Sequence, residues 1–327
     1  MKGPEPMTQT AARAFPLRRF AATRISQAIE NEVRIPGCEG TVEGVHRSAV
    51  NVRWGTGLLT VAHESMGGLP NGIGVDPPIA LDQLGIVPGM RVESDGAALR
   101  VPGASIAIFL TGAASWSPAM PVLRGLAART RIERSEQVLA LAADQAPRVG
   151  LGQLLAGLAD HHSSVGSLGR AAARPLAEVL EALKRGRPER AVSAAFRLIG
   201  LGPGATPSGD DLLVGLAAGM AVTDHPLAGA FAAGVARDAA GLTTSVAESY
   251  LLHAGRLEFS ERVHGAALAI LDGPEAELRG AVSAALAWGA TSGVDLLVGL
   301  LVGIQAGVAP RLAERLRACA GEGEVAA

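Results

Sequence analysis

The groups best placed to do chemistry lie in one short segment, GATPSGDDLLVGLAAG, residues 204–219. Thr206 and Ser208 carry hydroxyls that can donate hydrogen bonds, and Asp210 and Asp211 carry adjacent carboxyl groups. Glycine-rich backbone directly before a helix directs N–H groups and the positive end of the helix dipole towards one point, which suits phosphate or carboxylate. The segment therefore predicts an anion-binding loop, with Asp210 and Asp211 as candidate catalytic residues.

A second copy of this segment, GATSGVDLLVGLLVG at residues 289–303, shows which groups are unusual. It keeps Asp295 at the position of Asp211 but has Val294 at the position of Asp210. An acid beside an anion site is unfavourable unless it is protonated, bridged by a divalent cation or used as a base. All three roles stay open for Asp210, and Mg²⁺ is a possible cofactor, with no metal site otherwise expected.

The first copy also has a longer entry, RLIGLGPGATPSG, whose glycines and prolines fix the path of the chain. The backbone and hydroxyl groups predicted to bind the anion are Gly202, Gly204, Thr206, Ser208 and Gly209. The spacing is not that of a Walker A motif, because no lysine follows the glycines. A plain tight loop before a helix is the alternative interpretation.

The features that the two copies share have a structural explanation. Ser208 and Ser292 stand where an N-cap is expected, and Asp211 and Asp295 follow three positions later, as in a capping box. Each copy then carries two glycines four residues apart, which place backbone on one helix face. Because glycine inside a helix is unfavourable, we expect these faces at tight helix contacts. A contact of the two faces with each other about a pseudo-twofold axis is one arrangement that fits.

The rest of the chain divides into two parts, and the predicted fold class is α+β. We expect a tail at residues 1–24, a β-rich barrel or sandwich at 25–118 and a helical domain at 119–318, followed by a tail at 319–327. Short apolar runs separated by turn formers indicate the strands, and apolar residues every three or four positions indicate the helices. The repeats within the helical domain lie at about 191–220 and 281–305, and each reads helix, loop, helix, because AVSAAF precedes the first loop and AVSAAL the second.

Composition excludes several classes of protein. The 327 residues carry 29 basic and 31 acidic side chains without a basic stripe, so nucleic acid is not an expected partner. The apolar runs are shorter than the ~20 residues of a membrane span, so a cytoplasmic protein is predicted. Cys38 and Cys319 lack metal-ligand spacing, and His161-His162 is the only histidine cluster, with no ligand partner at suitable spacing.

The signature GLGPGATPSGDDLLVGL resembles the bacterial AllH family, formerly a family of unknown function. The resemblance includes Trp116-Ser-Pro at the predicted domain junction and the later Thr-Ser-Gly-x-Asp copy, which adds Thr291, Ser292 and Asp295 to the candidate binding residues. It also includes the pair Thr243 and Thr244, which the sequence alone assigns to a helix cap.

Membership of that family implies a subunit of the oxamate carbamoyltransferase of anaerobic allantoin breakdown, a part of purine degradation. The implied reaction moves the carbamoyl group of oxalurate to phosphate, giving oxamate and carbamoyl phosphate. The implied partners are these small anions and other carbamoyltransferase subunits, in a hetero-oligomer. Two alternatives stay open: a Mg²⁺-dependent helical hydrolase of the ADP-ribosylglycohydrolase kind, and a non-catalytic anion-binding or assembly subunit.

Overall fold

The computed structural model of the protein describes residues 16–160 and 165–321. The N-terminal domain is built from strands and one short helix, α1 (Gln27–Val33). The strands are β1 (Arg18–Ser26), β2 (Glu39–Val45), β3 (Ala49–Trp54), β4 (Gly57–His63), β5 (Gly72–Val75), β6 (Arg91–Ser94), β7 (Ala98–Val101), β8 (Ile106–Phe109) and β9 (Ala114–Trp116).

The strands close into a barrel. Their order is β5-β4-β3-β2-β6-β7-β8-β1, and an antiparallel pairing of β1 with β5 completes the ring. β9 adds to β1 in parallel beside this ring. Alternating apolar side chains such as Val52, Val61 and Ile106 fill the interior. The predicted choice between barrel and sandwich is thus settled as a barrel of eight strands, in which closure leaves the ring without free edges.

Strand β1 begins at Arg18, within the segment expected to be a tail. Phe20 and Ala22 turn towards the interior while their neighbours Ala21 and Thr23 are exposed, so the strand has the alternation of a half-buried sheet. Two arginines at its start and a third at Arg24 obscure that alternation in the sequence. The β domain therefore starts earlier than residue 25, and residues 1–15 lie outside the described chain.

The C-terminal domain is helical and confirms the predicted α+β class. Its helices are α2 (Ala128–Ala143), α3 (Gly152–Ala159), α4 (Ser167–Lys184), α5 (Pro188–Ala195), α6 (Ser208–Val222), α7 (Ala228–Ala239), α8 (Ser245–Ala254), α9 (Glu261–Leu271), α10 (Glu275–Leu286), α11 (Ser292–Gln305) and α12 (Leu312–Cys319). The repeat consists of α5 with α6 and of α10 with α11. His161 and His162 lie outside the described residues.

Helices α6 and α11 form the centre of this domain, because they are apolar on nearly every side and are buried except at Ser292, the first residue of α11. Added Cβ atoms would lie 2.1 Å from the Leu296 carbonyl at Gly215 and 1.9 Å from the Leu212 carbonyl at Gly299. The corresponding contact of Gly219 is with the Leu300 carbonyl, one turn further along both helices. The glycine faces therefore pack on each other, as the repeat predicts, and the two helices run parallel.

The predicted capping boxes are wrong. Pro207 and Thr291 occupy the N-cap positions, and neither makes a side-chain cap hydrogen bond. The serines that follow them bond across to the other copy, Ser208 to Asp295 and Ser292 to Asp211. The reason is the parallel arrangement, which sets the two first turns side by side, so that each serine meets the partner helix's carboxyl group.

The opposite end of the helix pair is closed by Arg131 of α2. This buried guanidinium donates to the Ile304 carbonyl at 2.8 Å, to the Ala306 carbonyl at 3.3 Å and to the Thr223 hydroxyl at 3.2 Å. Burial lowers the pKa of Arg131. A cation at the shared C-terminal end complements both helix dipoles and satisfies carbonyls that have no partner within a helix.

The two domains are joined by a polar seam. The Phe259 amide donates to the Pro118 carbonyl at 2.7 Å, and the Gly68 amide donates to the Glu261 carboxylate at 2.7 Å. Trp116 lies with its ring centroid 5.7 Å from that of His264 in α9, which confirms its predicted place at the domain junction. In residues 16–160 and 165–321, no helix has the length and apolarity needed to cross a bilayer.

Candidate functional site

A cleft of about 580 Å³ lies between the barrel and the helical domain. The barrel wall comes from β3, β4 and the turn that precedes β3, and it contributes His46, Arg47, Asn51 and Thr60. The helical wall contributes Thr206, Asp211, Tyr250, Arg262, Trp288 and Ser292. The first turns of α6 and α11 meet at this wall because the two helices are parallel, so both positive dipole ends face the same region.

Asp211 is the most unusual group of the cleft. Its side chain is 7% exposed, and its Oδ2 atom is buried without a hydrogen-bond partner in the described chain. Burial raises its pKa to about 7, and the charges of Asp295 and Asp210 act in the same direction. The hydroxyls of Ser292 and Thr206, which lie 2.9 Å apart, oppose that rise. A carboxyl group near neutrality can give or take a proton at physiological pH.

Tyr250 of α8 lies beside this carboxyl group. Burial raises the pKa of Tyr250 to about 12, and the negative charge of Asp211 adds to the effect, whereas Arg262 opposes it. The phenol is therefore protonated over the whole physiological range. It supplies the cleft with a hydrogen-bond donor that does not ionise.

Two guanidinium groups provide the positive charge of the cleft. Arg262 donates to the Ser65 carbonyl at 2.8 Å and lies 5.9 Å from the centre of the Trp288 ring, so both contacts fix its direction. Arg47 is exposed, and its guanidinium has no partner within residues 16–160 and 165–321. Guanidinium groups pair well with carboxylate and phosphate, so the cleft suits an anion.

Asp210, in contrast, does not line the cleft. It is 1% exposed, and it accepts from the Gly200 amide at 3.0 Å through Oδ1 and from the Thr243 hydroxyl at 2.5 Å through Oδ2. Burial raises its pKa, while these two hydrogen bonds lower it. The contacts tie the start of the loop to the segment before α8. Asp210 thus holds the loop in place.

Thr244 fastens the same loop from its other side. It is the N-cap of α8, where its hydroxyl accepts from the Ala247 amide at 3.1 Å, as the sequence predicts for a cap. The same hydroxyl bonds to the Ala205 carbonyl. Thr243 and Thr244 therefore act as a pair that attaches α8 to the loop.

The loop itself needs its glycines. Gly202 and Gly204 have φ values of 105° and 107°, which side-chain-bearing residues rarely adopt. At Gly209, an added Cβ would lie 1.9 Å from the Leu198 carbonyl. In the described chain, the amides of Gly202, Gly204, Ala205 and Thr206 have no hydrogen-bond acceptor. The loop therefore offers backbone donors, and Ala205 and Thr206 bring it to the cleft.

Asp295, the counterpart of Asp211, has different surroundings. It is fully buried and accepts from the Leu151 amide at 2.6 Å, in the turn before α3. Burial raises its pKa, and hydrogen bonds from Ser208, Leu151 and Thr291 lower it. Its Oδ2 atom, like that of Asp211, has no hydrogen-bond partner in the described chain. The two equivalent positions therefore differ in that only the first carboxyl group faces the cleft.

The structure brings only some of the predicted residues to the cleft, namely Thr206, Asp211 and Ser292. The others form the layer behind it or the far part of the loop: Gly202, Gly204, Ser208, Gly209, Asp210, Thr243, Thr244, Thr291 and Asp295. Sequence reasoning missed Arg47, Tyr250 and Arg262. Tyr250 is the single tyrosine of the chain, a signal that could have been used, but the arginines carry no local motif.

A metal ion has no evident set of ligands here. In residues 16–160 and 165–321, no group of three or more His, Cys, Asp or Glu side chains could hold one. Both carboxylate oxygens of Asp210 already accept hydrogen bonds. The cleft carries two carboxyl groups, Asp211 and Glu258. Glu258 already pairs with His253 at 2.7 Å, and the remaining donors are hydroxyls and guanidiniums, a set that Mg²⁺ does not favour.

Comparison with known families agrees with this architecture. The barrel matches the AllH family N-terminal domain over residues 18–115, and the helical domain matches the oxamate carbamoyltransferase subunit AllH over residues 198–304. The chain belongs to the AllH family. The AllH match in the helical domain starts just before the loop and ends in α11, so it contains the parallel helix pair and Asp211. No curated protein and no solved structure matches the chain.

Proposed function

We propose that this AllH chain contributes the substrate cleft of an oxamate-type carbamoyltransferase. The observation that carries the proposal is Asp211, a buried carboxyl group with an unpartnered oxygen and a pKa of about 7 in a cleft with two guanidiniums. Such a site suits a substrate that bears a negative charge and needs a proton moved. The family match names an oxamate carbamoyltransferase subunit, which supports this type of reaction, and the site geometry adds to that support.

The proposed reaction needs one proton to change place. A phosphate oxygen attacks the terminal ureido carbon of oxalurate, the bond from that carbon to the oxamate nitrogen breaks, and carbamoyl phosphate forms. The oxamate nitrogen leaves as an amide and takes up a proton, which phosphate loses. Asp211 is our candidate to carry it, giving a proton to the nitrogen and receiving one from phosphate, because a pKa near the working pH suits both steps.

The anionic ends of the substrates need donors on the opposite side. Arg262, fixed by Ser65 and Trp288, and Arg47 at the rim are the proposed partners of carboxylate and phosphate. Ala205 and Thr206 add backbone amides in the loop just before α6. Tyr250 donates to an oxygen that gains charge at the attacked carbon. In this proposal Asp210 positions the loop and does not touch substrate.

The test is calorimetric titration of the chain with oxamate, oxalurate, phosphate and carbamoyl phosphate, followed by turnover after the other subunits are added. Oxamate keeps its carboxylate ionised throughout, so its affinity isolates the titration of the protein. We expect that affinity to fall as pH rises through about 7, where Asp211 becomes charged, and Asp211→Asn to abolish that inflection.

Asp295→Asn is the matched control, because it changes the equivalent carboxyl group outside the cleft. Once the variant is shown to be folded, it should keep the inflection but move it to lower pH, because the charge of Asp295 helps to raise the pKa of Asp211. If Asp211→Asn binds and turns over like the wild type at every pH, the cleft is not the site. Binding that stays intact without turnover in the complete assembly would favour the non-catalytic, anion-binding subunit.

A further inference from the structure

A second surface, which shares no lining residue with the cleft, carries an excess of positive charge. It is a groove of about 610 Å³ between α4, α5 and α12, lined by five arginines and two glutamates. Glu181 pairs with Arg185 at 2.8 Å and with Arg317 at 3.3 Å, and Glu178 pairs with Arg197. The two carboxylates are thus already used by arginines of the same surface.

Arg187 and Arg190 are different. Both are exposed, and within residues 16–160 and 165–321 no carboxylate or other side chain pairs with either. They lie at the start of α5, where the positive helix end does not favour a cation. Two unneutralised arginines at such a position are suited to carboxylates supplied from outside.

An exposed aromatic side chain lies at the C-terminal end of the same helix. Phe196 follows α5 directly and is 50% exposed. Its counterpart in the second copy is Leu286, which packs against the core. A second groove, of about 320 Å³, borders Phe196 on the side of α7 and shares Ser193 with the first. Phe196 lines this second groove together with Glu189, Arg237 and Asp238. Aromatic and arginine side chains are both enriched at protein interfaces.

Phe196 is close in sequence to the anion-binding loop. Leu198 and Ile199 lead from Phe196 to Gly200, whose amide is held by Asp210. The carbonyl of Leu198 also packs against Gly209 in the first turn of α6. A protein bound at Phe196 therefore contacts the segment that sets the position of the loop.

We propose that Arg187, Arg190, Phe196 and Arg197 form a docking surface, called here the α5 surface, for an acidic segment of a partner protein. The carboxylates of the partner pair with Arg187 and Arg190, and an apolar side chain packs on Phe196. The inference goes beyond the cleft, because it concerns how the chain is joined to another subunit.

The experiment is fluorescence anisotropy of the full chain with a labelled, glutamate-rich peptide that contains one leucine. We expect saturable binding, weakened about tenfold or more in the double variant Arg187→Ala/Arg190→Ala, since a few anchors carry most interface energy. Phe196→Ser should weaken binding about fivefold, by the loss of a partly buried aromatic contact.

The double variant Arg279→Ala/Arg311→Ala is the matched control, because it removes two exposed arginines whose side chains have no partner in the described chain. It should change the affinity by less than about twofold, as screened charges away from an interface do. Asp211→Asn should bind the peptide normally, so failure of the cleft proposal and failure of this one can be told apart.

Three results would overturn the docking proposal. One is the absence of saturable peptide binding, and another is an equal loss in both double variants, which would show only an effect of net charge. The third is tighter binding of inorganic polyphosphate than of the peptide with no effect of Phe196→Ser, which would assign the arginines to phosphate.

Discussion

The hairpins α5–α6 and α10–α11 share a sequence pattern and a backbone arrangement, yet the first turns of α6 and α11 have different surroundings. In both, a serine opens the second helix, an aspartate follows three positions later, and glycines face the partner helix. Asp295 is enclosed by the turn before α3, whereas Asp211 faces a cleft. The repeat thus gives a scaffold with twofold character, and what packs against each copy decides its chemistry.

The contact between the glycine faces of α6 and α11 is the feature that the two copies share most closely. Substitutions there should have the largest effect on stability. Gly215→Ala and Gly299→Ala should each lower the free energy of unfolding by more than about 4 kcal/mol, because an added Cβ meets backbone that cannot move aside. Chemical denaturation measures this. Gly280→Ala, in open space on α10, is the control and should stabilise by about 0.5–1 kcal/mol. Unequal losses at Gly215 and Gly299 would contradict the twofold packing.

The difference between the copies should appear in the pH dependence of stability. The folded pKa of Asp211 is about 7, above its ordinary 3.8, so the folded state keeps this proton longer than the unfolded state. The contribution of this proton to the free energy of unfolding is fully present below about pH 4 and is lost as pH rises through 7. It amounts to about 4 kcal/mol at most. Asp211→Asn should therefore gain stability relative to the wild type between pH 4 and 8.

Denaturation of both chains at a series of pH values measures that gain, and reversible unfolding in both chains is the necessary control. A constant difference between wild type and Asp211→Asn across this range would show that the carboxyl group has an ordinary pKa. The cleft would then lose its proposed proton carrier.

The loop of the first copy should depend on Thr243. Thr243→Val leaves a buried oxygen of Asp210 without its hydroxyl donor and should cost about 1–3 kcal/mol of stability. It should also weaken oxamate binding, because the loop amides lose their fixed position. Thr243→Ser keeps the donor and is the control. Equal behaviour of the valine and serine variants would mean that Asp210 does not hold the loop.

The smallest expected effect concerns the crossed serines. Ser292→Ala removes a hydroxyl that lowers the pKa of Asp211, so the inflection in oxamate affinity should move to higher pH. Ser208→Ala acts on Asp295 and should leave that inflection unchanged. A shift of the same size in both variants would contradict the assignment of the inflection to Asp211.

The sequence was sufficient for features that depend on local pattern. The repeat and its glycine spacing predict the helix pair, and the turn formers between short apolar runs predict the β domain. It could not supply the partners of Asp210 and Asp211. Because the second copy has Val294 at the position of Asp210, the sequence suggests that Asp210 is a surplus acid. The role of Asp210 depends instead on Thr243, which lies in another segment. Arg47 and Arg262 reach the cleft from different domains, so nothing in their local sequence indicates a shared site.

The closed barrel has a consequence for how the cleft can change its width. Strands β3 and β4 each form backbone hydrogen bonds with a neighbouring strand on both sides. The cleft wall that carries Asn51 and Thr60 therefore has no free strand edge that could bend outward. Any widening of the cleft that admits a substrate must come from the helical domain, where only a few hydrogen bonds hold the glycine-rich loop in place. The glycine-rich loop before α6 therefore controls access to the cleft, and the barrel forms its rigid wall.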